Sequence, residues 1–130
     1  MISTQEMTER TYAYAKAWSS NDPEGVASFY AEDGEIRING GDLIKGRAAV
    51  AEMAAGFYAE FPDLVVHCDD CRIAGQNALF SWTLEGHHSE TGNYVKVPGW
   101  EEWELTEDGL VAVSRGRFDA AEYDRQVAGG

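Results

Sequence analysis

Basic residues are scarce in this chain. Ten lysines and arginines stand against 23 aspartates and glutamates, a formal net charge of −13 over 130 residues. A field of that sign repels phosphate backbones and anionic lipid surfaces, so no nucleic acid and no membrane partner is expected. A neutral or cationic small molecule fits better, although such charge also serves solubility alone. Long apolar runs are missing too: no stretch approaches the ~18–20 apolar residues that a bilayer-spanning helix needs. The opening Met1-Ile-Ser-Thr-Gln-Glu6 carries neither a basic nor an apolar segment. No secretory leader is therefore expected, and a cytoplasmic location follows as the default. Two cysteines make no disulfide framework and are expected to be reduced there. Repeats, linkers and low-complexity segments are absent as well. The remaining composition, 44% hydrophobic, suits one domain over residues 1–130 with a real core.

The order of elements follows from spacing and caps. Ser3-Thr-Gln-Glu6 has the spacing of a capping box. Behind it Met7, Thr11, Tyr14, Ala15 and Trp18 recur at three- and four-residue steps, which places them on one helical face. Asp22-Pro23 reads as an N-cap and first-turn proline, opening a second helix through Tyr30; Asp33-Gly34 then turns into a strand over 35–39. A third helix is predicted over 46–61, ending before Pro62, which pushes Phe61 out of the helical region. Strands follow over 64–73, 78–88, 95–105 and 110–118, with a hairpin turn at Glu107-Asp108-Gly109. Asp119-Ala-Ala-Glu122 is a second capping box, for a closing helix that stops at Gly129-Gly130. Helices first and antiparallel strands afterwards make an α+β domain.

Alternation along each strand sorts residues onto a buried and an open face. Phe80, Trp82, Leu84 and His88 are expected inward in one strand, and Glu101, Trp103 and Leu105 in the next. In the last strand Leu110, Ala112, Ser114, Gly116 and Phe118 are expected inward, and Val111, Val113, Arg115 and Arg117 outward. The result is a pocket walled by Trp18, Phe57, Phe61, Trp82, Trp103 and Phe118, with Tyr14, His88, Glu101 and Ser114 as its polar members. The plain alternative is that the aromatics fill a core. Glu101 beside Trp103 would be desolvated and its pKa raised toward general-acid use, unless it sits at a solvated rim or pairs with arginine. His88 offers an acid, a base or a donor, or else caps a strand end. Tyr14 offers a donor to a ligand oxygen, or else packs with a wet hydroxyl.

His67-Cys68-Asp-Asp-Cys71 invites a metal reading, but zinc wants four convergent ligands and no second cysteine pair exists. In a regular strand Cys68 and Cys71 would also point to opposite faces. No metal is expected, and a redox disulfide would need a helix opening here.

Several motifs fall together in order: Ala17-Trp18 to Asp22, Phe29-Tyr30-Ala-Glu-Asp33-Gly34, Lys45-Gly46-Arg47, Phe61-Pro62-Asp63-Leu64, Trp82-Thr-Leu-Glu-Gly86-His-His88, and Asp108-Gly109 with Arg117-Phe118-Asp119. In this pattern the chain resembles SnoaL-like proteins of the nuclear transport factor two-like superfamily. The resemblance implies a cone-shaped barrel: a strongly curved, mainly antiparallel sheet wrapped around three to four helices and a central apolar pocket. It also implies a homodimer through the outer sheet face, and no cofactor. The superfamily includes polyketide cyclases, limonene epoxide hydrolase and ketosteroid isomerase, together with non-catalytic binders and dimerisation modules. The acid that cyclases and the epoxide hydrolase carry on the last strand falls at Gly116. The oxyanion-donating tyrosine of ketosteroid isomerase falls at Tyr14, its buried protonated acid at Glu101, and its proton-shuttling base at Ile38. Three functions stay open: proton transfer on a small hydrophobic carbonyl compound by Tyr14, Glu101 and His88; non-catalytic binding of such a ligand; or dimerisation alone.

Overall fold

The computed structural model describes residues 2–130. Helix α1 (Thr4–Ser19) starts where Ser3 accepts the Glu6 amide at 3.1 Å, and it buries Met7, Thr11, Tyr14, Ala15 and Trp18. These are the five residues that share a face by spacing. Asp22 caps the short α2 (Pro23–Ala27) through the Gly25 amide. Strand β1 (Tyr30–Ile38) and the two-residue β2 (Ile44–Lys45) lead into α3 (Arg47–Glu60). Then come β3 (Val65–Ala74), β4 (Asn77–His87), β5 (Tyr94–Leu105), β6 (Val111–Phe118) and α4 (Ala120–Ala128). No helix among the described residues is long and apolar enough to cross a membrane.

The six strands form one curved, unclosed sheet in the order β2-β1-β6-β5-β4-β3. Every pairing is antiparallel except β1 with β6, so the fold is the expected α+β cone with four helices. The core lies in the hollow of the sheet under α1, α2 and α3. Two polar ties fix the helices to it: Ser19 Oγ exchanges hydrogen bonds with the Val66 backbone at 2.9 and 3.0 Å, and Arg47 Nε donates to the Tyr30 carbonyl at 2.9 Å.

Three β-bulges depart from simple alternation. The first lies in β1, where Tyr30 pairs with Val111 but Glu35 already pairs with Val113. Asp33-Gly34 is thus not a helix-ending turn. A Cβ on Gly34 would lie 2.6 Å from the Val111 carbonyl oxygen, so the bulged backbone closes over that position. Tyr30 consequently opens the strand instead of ending α2. The second bulge, at Ala112, puts Leu105 opposite Val111 and Glu104 opposite Val113. It reverses the expected parity at the start of β6: Val111 is buried, whereas Leu110 and Ala112 are only partly covered. Ser114 and Gly116, beyond the bulge, are inward. The third, at Asp69, sets Cys68 opposite Trp82 and Cys71 opposite Phe80, so the two cysteines share a face rather than opposing one another.

Candidate active site

Glu101 is the hub of the interior. It lies mid-strand in β5 on the inward face and is 7% exposed. Its Oε1 accepts from Ser114 Oγ at 2.8 Å, Trp103 Nε1 at 3.0 Å, Tyr14 OH at 3.2 Å and Tyr30 OH at 3.3 Å. The two tyrosine hydroxyls are 2.9 Å apart and hold one proton each. When one donates to the other, the second remains free to donate to Oε1. Oε2 takes no hydrogen bond from any described residue. Because Oε1 is an acceptor throughout, a proton bound to this carboxyl resides on Oε2.

The electrostatics follow from that geometry. Burial pushes the Glu101 pKa up, and the four donors, Trp103 foremost, pull it down; the balance is a raised value. Burial and the neighbouring carboxyl hold both tyrosines well above the ordinary phenol range, so they stay protonated donors. Tyr14 is braced by edge contacts to Phe29, Phe80 and Trp103, with ring centroids 5.2–5.6 Å apart.

Beside Glu101 is a cavity of about 60 Å³. At ~10–15 Å³ for each water-sized occupant this holds roughly four to six of them, a compact ligand rather than a large one. Ile36, Phe80, Leu84 and Val97 form its buried floor, and Trp18, Met53 and Phe57 its helical wall together with Val66. Ile38, Trp82, Phe118 and Tyr123 are half-buried at its mouth. A Cβ at Gly116 would lie 3.8 Å from Glu101 Cγ, an ordinary contact, so the bare backbone there adds room next to the acid. Among the described residues one sealed polar side-chain atom lacks a partner, Nε1 of Trp82.

Of the residues expected at a pocket, Trp18, Phe57, Trp82, Glu101 and Phe118 line this cavity. Tyr14, Trp103 and Ser114 stand behind Glu101 and reach it through hydrogen bonds. Phe61 is fully buried outside the lining, packed on His88 and Tyr123. His88 is not brought to Glu101. It lies just past the end of β4, where Nδ1 accepts the Glu90 amide and Nε2 is 3.5 Å from Glu60 Oε1. Alternation had the correct face for His88 but says nothing of position along the strand. Tyr30 escaped the sequence reading because Asp33-Gly34 resembles a turn; Tyr123 and Val127, one turn apart on α4, were the available signal for a residue at the mouth. Burial, the first of its causes, pushes the Cys68 thiol up to about 11, so it is no ready thiolate. No group of three or more His, Cys, Asp or Glu side chains converges as a metal site among the described residues.

Known proteins place this architecture. A family model described as a SnoaL-like domain matches residues 11–114. A Catenulispora acidiphila protein with a ketosteroid isomerase-like fold, solved with trimethylamine, superposes with a TM-score of 0.84 at 19% identity, covering 97% of this chain and 95% of that one. A protein from Jannaschia assigned as a SnoaL-like polyketide cyclase gives 0.82 at 16% identity over 97% and 92%. An LEH-like epoxide hydrolase from M. tuberculosis gives 0.79 at 18% identity over 98% and 92%. No curated protein matches the chain. At these identities the solved structures speak for the fold, while the family model spans most of the sequence: the chain belongs to the SnoaL-like domain family.

Proposed function

We propose that the protein is an isomerase-type enzyme that moves a proton on a small hydrophobic carbonyl compound, with Glu101 as its one acid–base group. The observation that carries this is the asymmetry of the carboxyl: Oε1 is saturated by donors, Oε2 has none among the described residues, and Glu101 is the one acidic residue lining an apolar cavity. A carboxylate with a raised pKa is a stronger base, and it is matched to proton transfer nearer neutrality. Oε2 takes a proton from the carbon beside the carbonyl. The C–H pair moves into an enolate, and the O–H so formed returns its proton to the far end of the conjugated system. Nothing is oxidised and no group leaves. Tyr14, Tyr30, Trp103 and Ser114 position the carboxyl and share its charge when ionised.

A second reading has its own support. Ile38 and Gly116 line the cavity, and Tyr123 is the one other titratable side chain there, its hydroxyl turned to Glu60 at 3.4 Å. A site with a single acid also serves a non-catalytic binder of the same class of ligand.

Deuterium exchange separates them. The protein is incubated in D₂O with cyclohexanone and with 3-cyclohexenone, and both are followed by NMR. The enzyme reading expects faster α-exchange, conversion of 3-cyclohexenone to the conjugated isomer, and a loss of about a hundredfold or more in Glu101→Gln. Saturable binding with exchange at the background rate leaves the binder. Absence of binding by either ketone overturns both.

A further inference from the structure

Gly116 is a costly residue where it stands. It lies inside β6, paired with Glu101 of β5 on one side and with Ile38 of β1 on the other. Glycine within a strand weakens it, because its backbone loses the most freedom on folding and it packs no side chain. A steric need normally explains such a glycine, and it does for the other three glycines in strands. A Cβ would come within 2.6 Å of the Val111 carbonyl oxygen at Gly34, 2.9 Å of Asp63 Oδ1 at Gly86 and 2.4 Å of Trp82 Cζ2 at Gly99. Gly116 has no such need. Its φ is not positive, and the atoms nearest to an added Cβ are the Arg37 carbonyl oxygen and Glu101 Cγ at 3.8 Å and Ile38 Cγ1 at 3.9 Å. The fold therefore has room for a methyl group there. Gly116 is buried, faces inward and lines the apolar cavity, so what it supplies is space against the methylene of the acid.

We propose that Gly116 is a specificity residue of the cavity: the methyl-sized space it leaves beside Glu101 takes an alkyl substituent on the carbon next to the carbonyl, so that the compounds selected are small α-branched ketones. This rests on the reading of the cavity as the ligand site and names the substrate class within it. The carbon that gives up its proton must come to the carboxyl, and Glu101 Cγ is one bond from the carboxyl carbon. A group touching Cγ therefore stands next to that reacting carbon and not at the far side of the ligand. Both side-chain atoms bordering the space, Glu101 Cγ and Ile38 Cγ1, are aliphatic carbons, which suits an alkyl group and leaves a polar one unpaired. The α-carbon keeps one hydrogen for Glu101 beside that one substituent.

The test compares two isomers that differ only in where a methyl group sits, 2-methylcyclohexanone and 4-methylcyclohexanone. Both are titrated into the full chain and into Gly116→Ala, and binding is read from the NMR signals of the Ile38 and Met53 methyl groups, which line the cavity. The wild type is expected to bind the 2-methyl isomer about fourfold tighter, the worth of one buried methyl group. Gly116→Ala should lose that preference or reverse it. It should also melt a few degrees above the wild type, since it replaces a strand glycine where a Cβ has room. A gain in stability together with a loss of selectivity is the mark of a residue kept for the site and not for the fold. Equal binding of the two isomers by the wild type, or the same preference in Gly116→Ala, overturns the assignment. So does a variant that is destabilised or fails to fold, because the glycine would then serve packing. Proton exchange of the bound 2-methyl isomer in D₂O keeps the two ideas apart. The preference without exchange would sink the role of Glu101 and leave that of Gly116 standing. Binding of neither isomer removes the ligand site on which both depend.

Discussion

Glu101 owes its special chemistry to lost water, and pH dependence is the direct measure of that loss. Its folded-state pKa is raised above the ordinary 4.5, so the folded protein binds the proton more tightly than the unfolded chain does. The sign follows. The stability this group contributes is fully present below pH 4.5 and is lost as pH rises through the raised native value; above that it stays lost. Glutamine keeps an acceptor for Ser114, Trp103 and the tyrosines and has no proton to release. Glu101→Gln is therefore expected to melt with the wild type at pH 4 and a few degrees above it at pH 8, with the gap opening between those limits. A gap that does not change with pH, in melts followed by circular dichroism, would mean that Glu101 is not desolvated as its surroundings require. Much of this cluster is legible in the sequence. Tyr14 falls on the buried stripe of α1, and Glu101 and Trp103 share a face by simple alternation. Tyr30 and the unpartnered Nε1 of Trp82 are not legible, because both depend on what lies across the sheet.

Among the elements, legibility fails where a partner strand dictates local geometry. The period of α1 and the alternation of β4 and β5 come from the chain itself, and sequence alone yields them. A bulge is different. At Ala112 an extra residue is absorbed because β5 and β6 must stay paired on both sides, and nothing in Leu110-Val-Ala-Val113 announces it. The same holds at Asp69 and before Glu35. Helix α4 shows the opposite balance: its caps are plain in sequence, but its packing is slight. None of its residues is buried, and it is held by Gln126 to the Lys96 backbone, by Asn93 to the Val127 carbonyl, and by Tyr123 against Phe61 and Phe118. Tyr123 at the cavity mouth therefore belongs to a lightly packed element, of the kind that opens locally. Asp119 accepts the Glu122 amide at 3.1 Å, and Asp119→Ala should cost about 1 kcal/mol locally. Hydrogen exchange should then quicken by about fivefold over residues 121–128 while β5 is unchanged. Equal acceleration in β5 would show that α4 opens only with the whole domain.

At the scale of the molecule the expected homodimer meets an electrostatic objection, since each copy carries −13. The outer face of the sheet is where that objection is weakest. By register, Arg72, Lys96, Arg115 and Arg117 lie on it among Asp70, Glu85, Glu102 and Glu104, so this surface is near neutral although the chain is strongly acidic. Leu79, Tyr94 and Trp100 stand on the same face, 36%, 48% and 42% exposed. A two-fold contact there would bury three large side chains from each copy and set mixed charges against mixed charges, as an isologous interface requires. The remaining surface supplies long-range repulsion, which salt screens over a Debye length of about 10 Å at 0.1 M. Association should therefore strengthen as sodium chloride rises from low to moderate concentration, the reverse of an interface held by ion pairs. Light scattering after size exclusion across that range should record growth of the dimer. Trp100→Glu should leave a folded monomer, because Trp100 lies on the outer face and away from the cavity. A wild type that stays monomeric at every salt concentration would refute the outer-face dimer, and a dimer that dissociates on adding salt would place the contact on paired charges elsewhere.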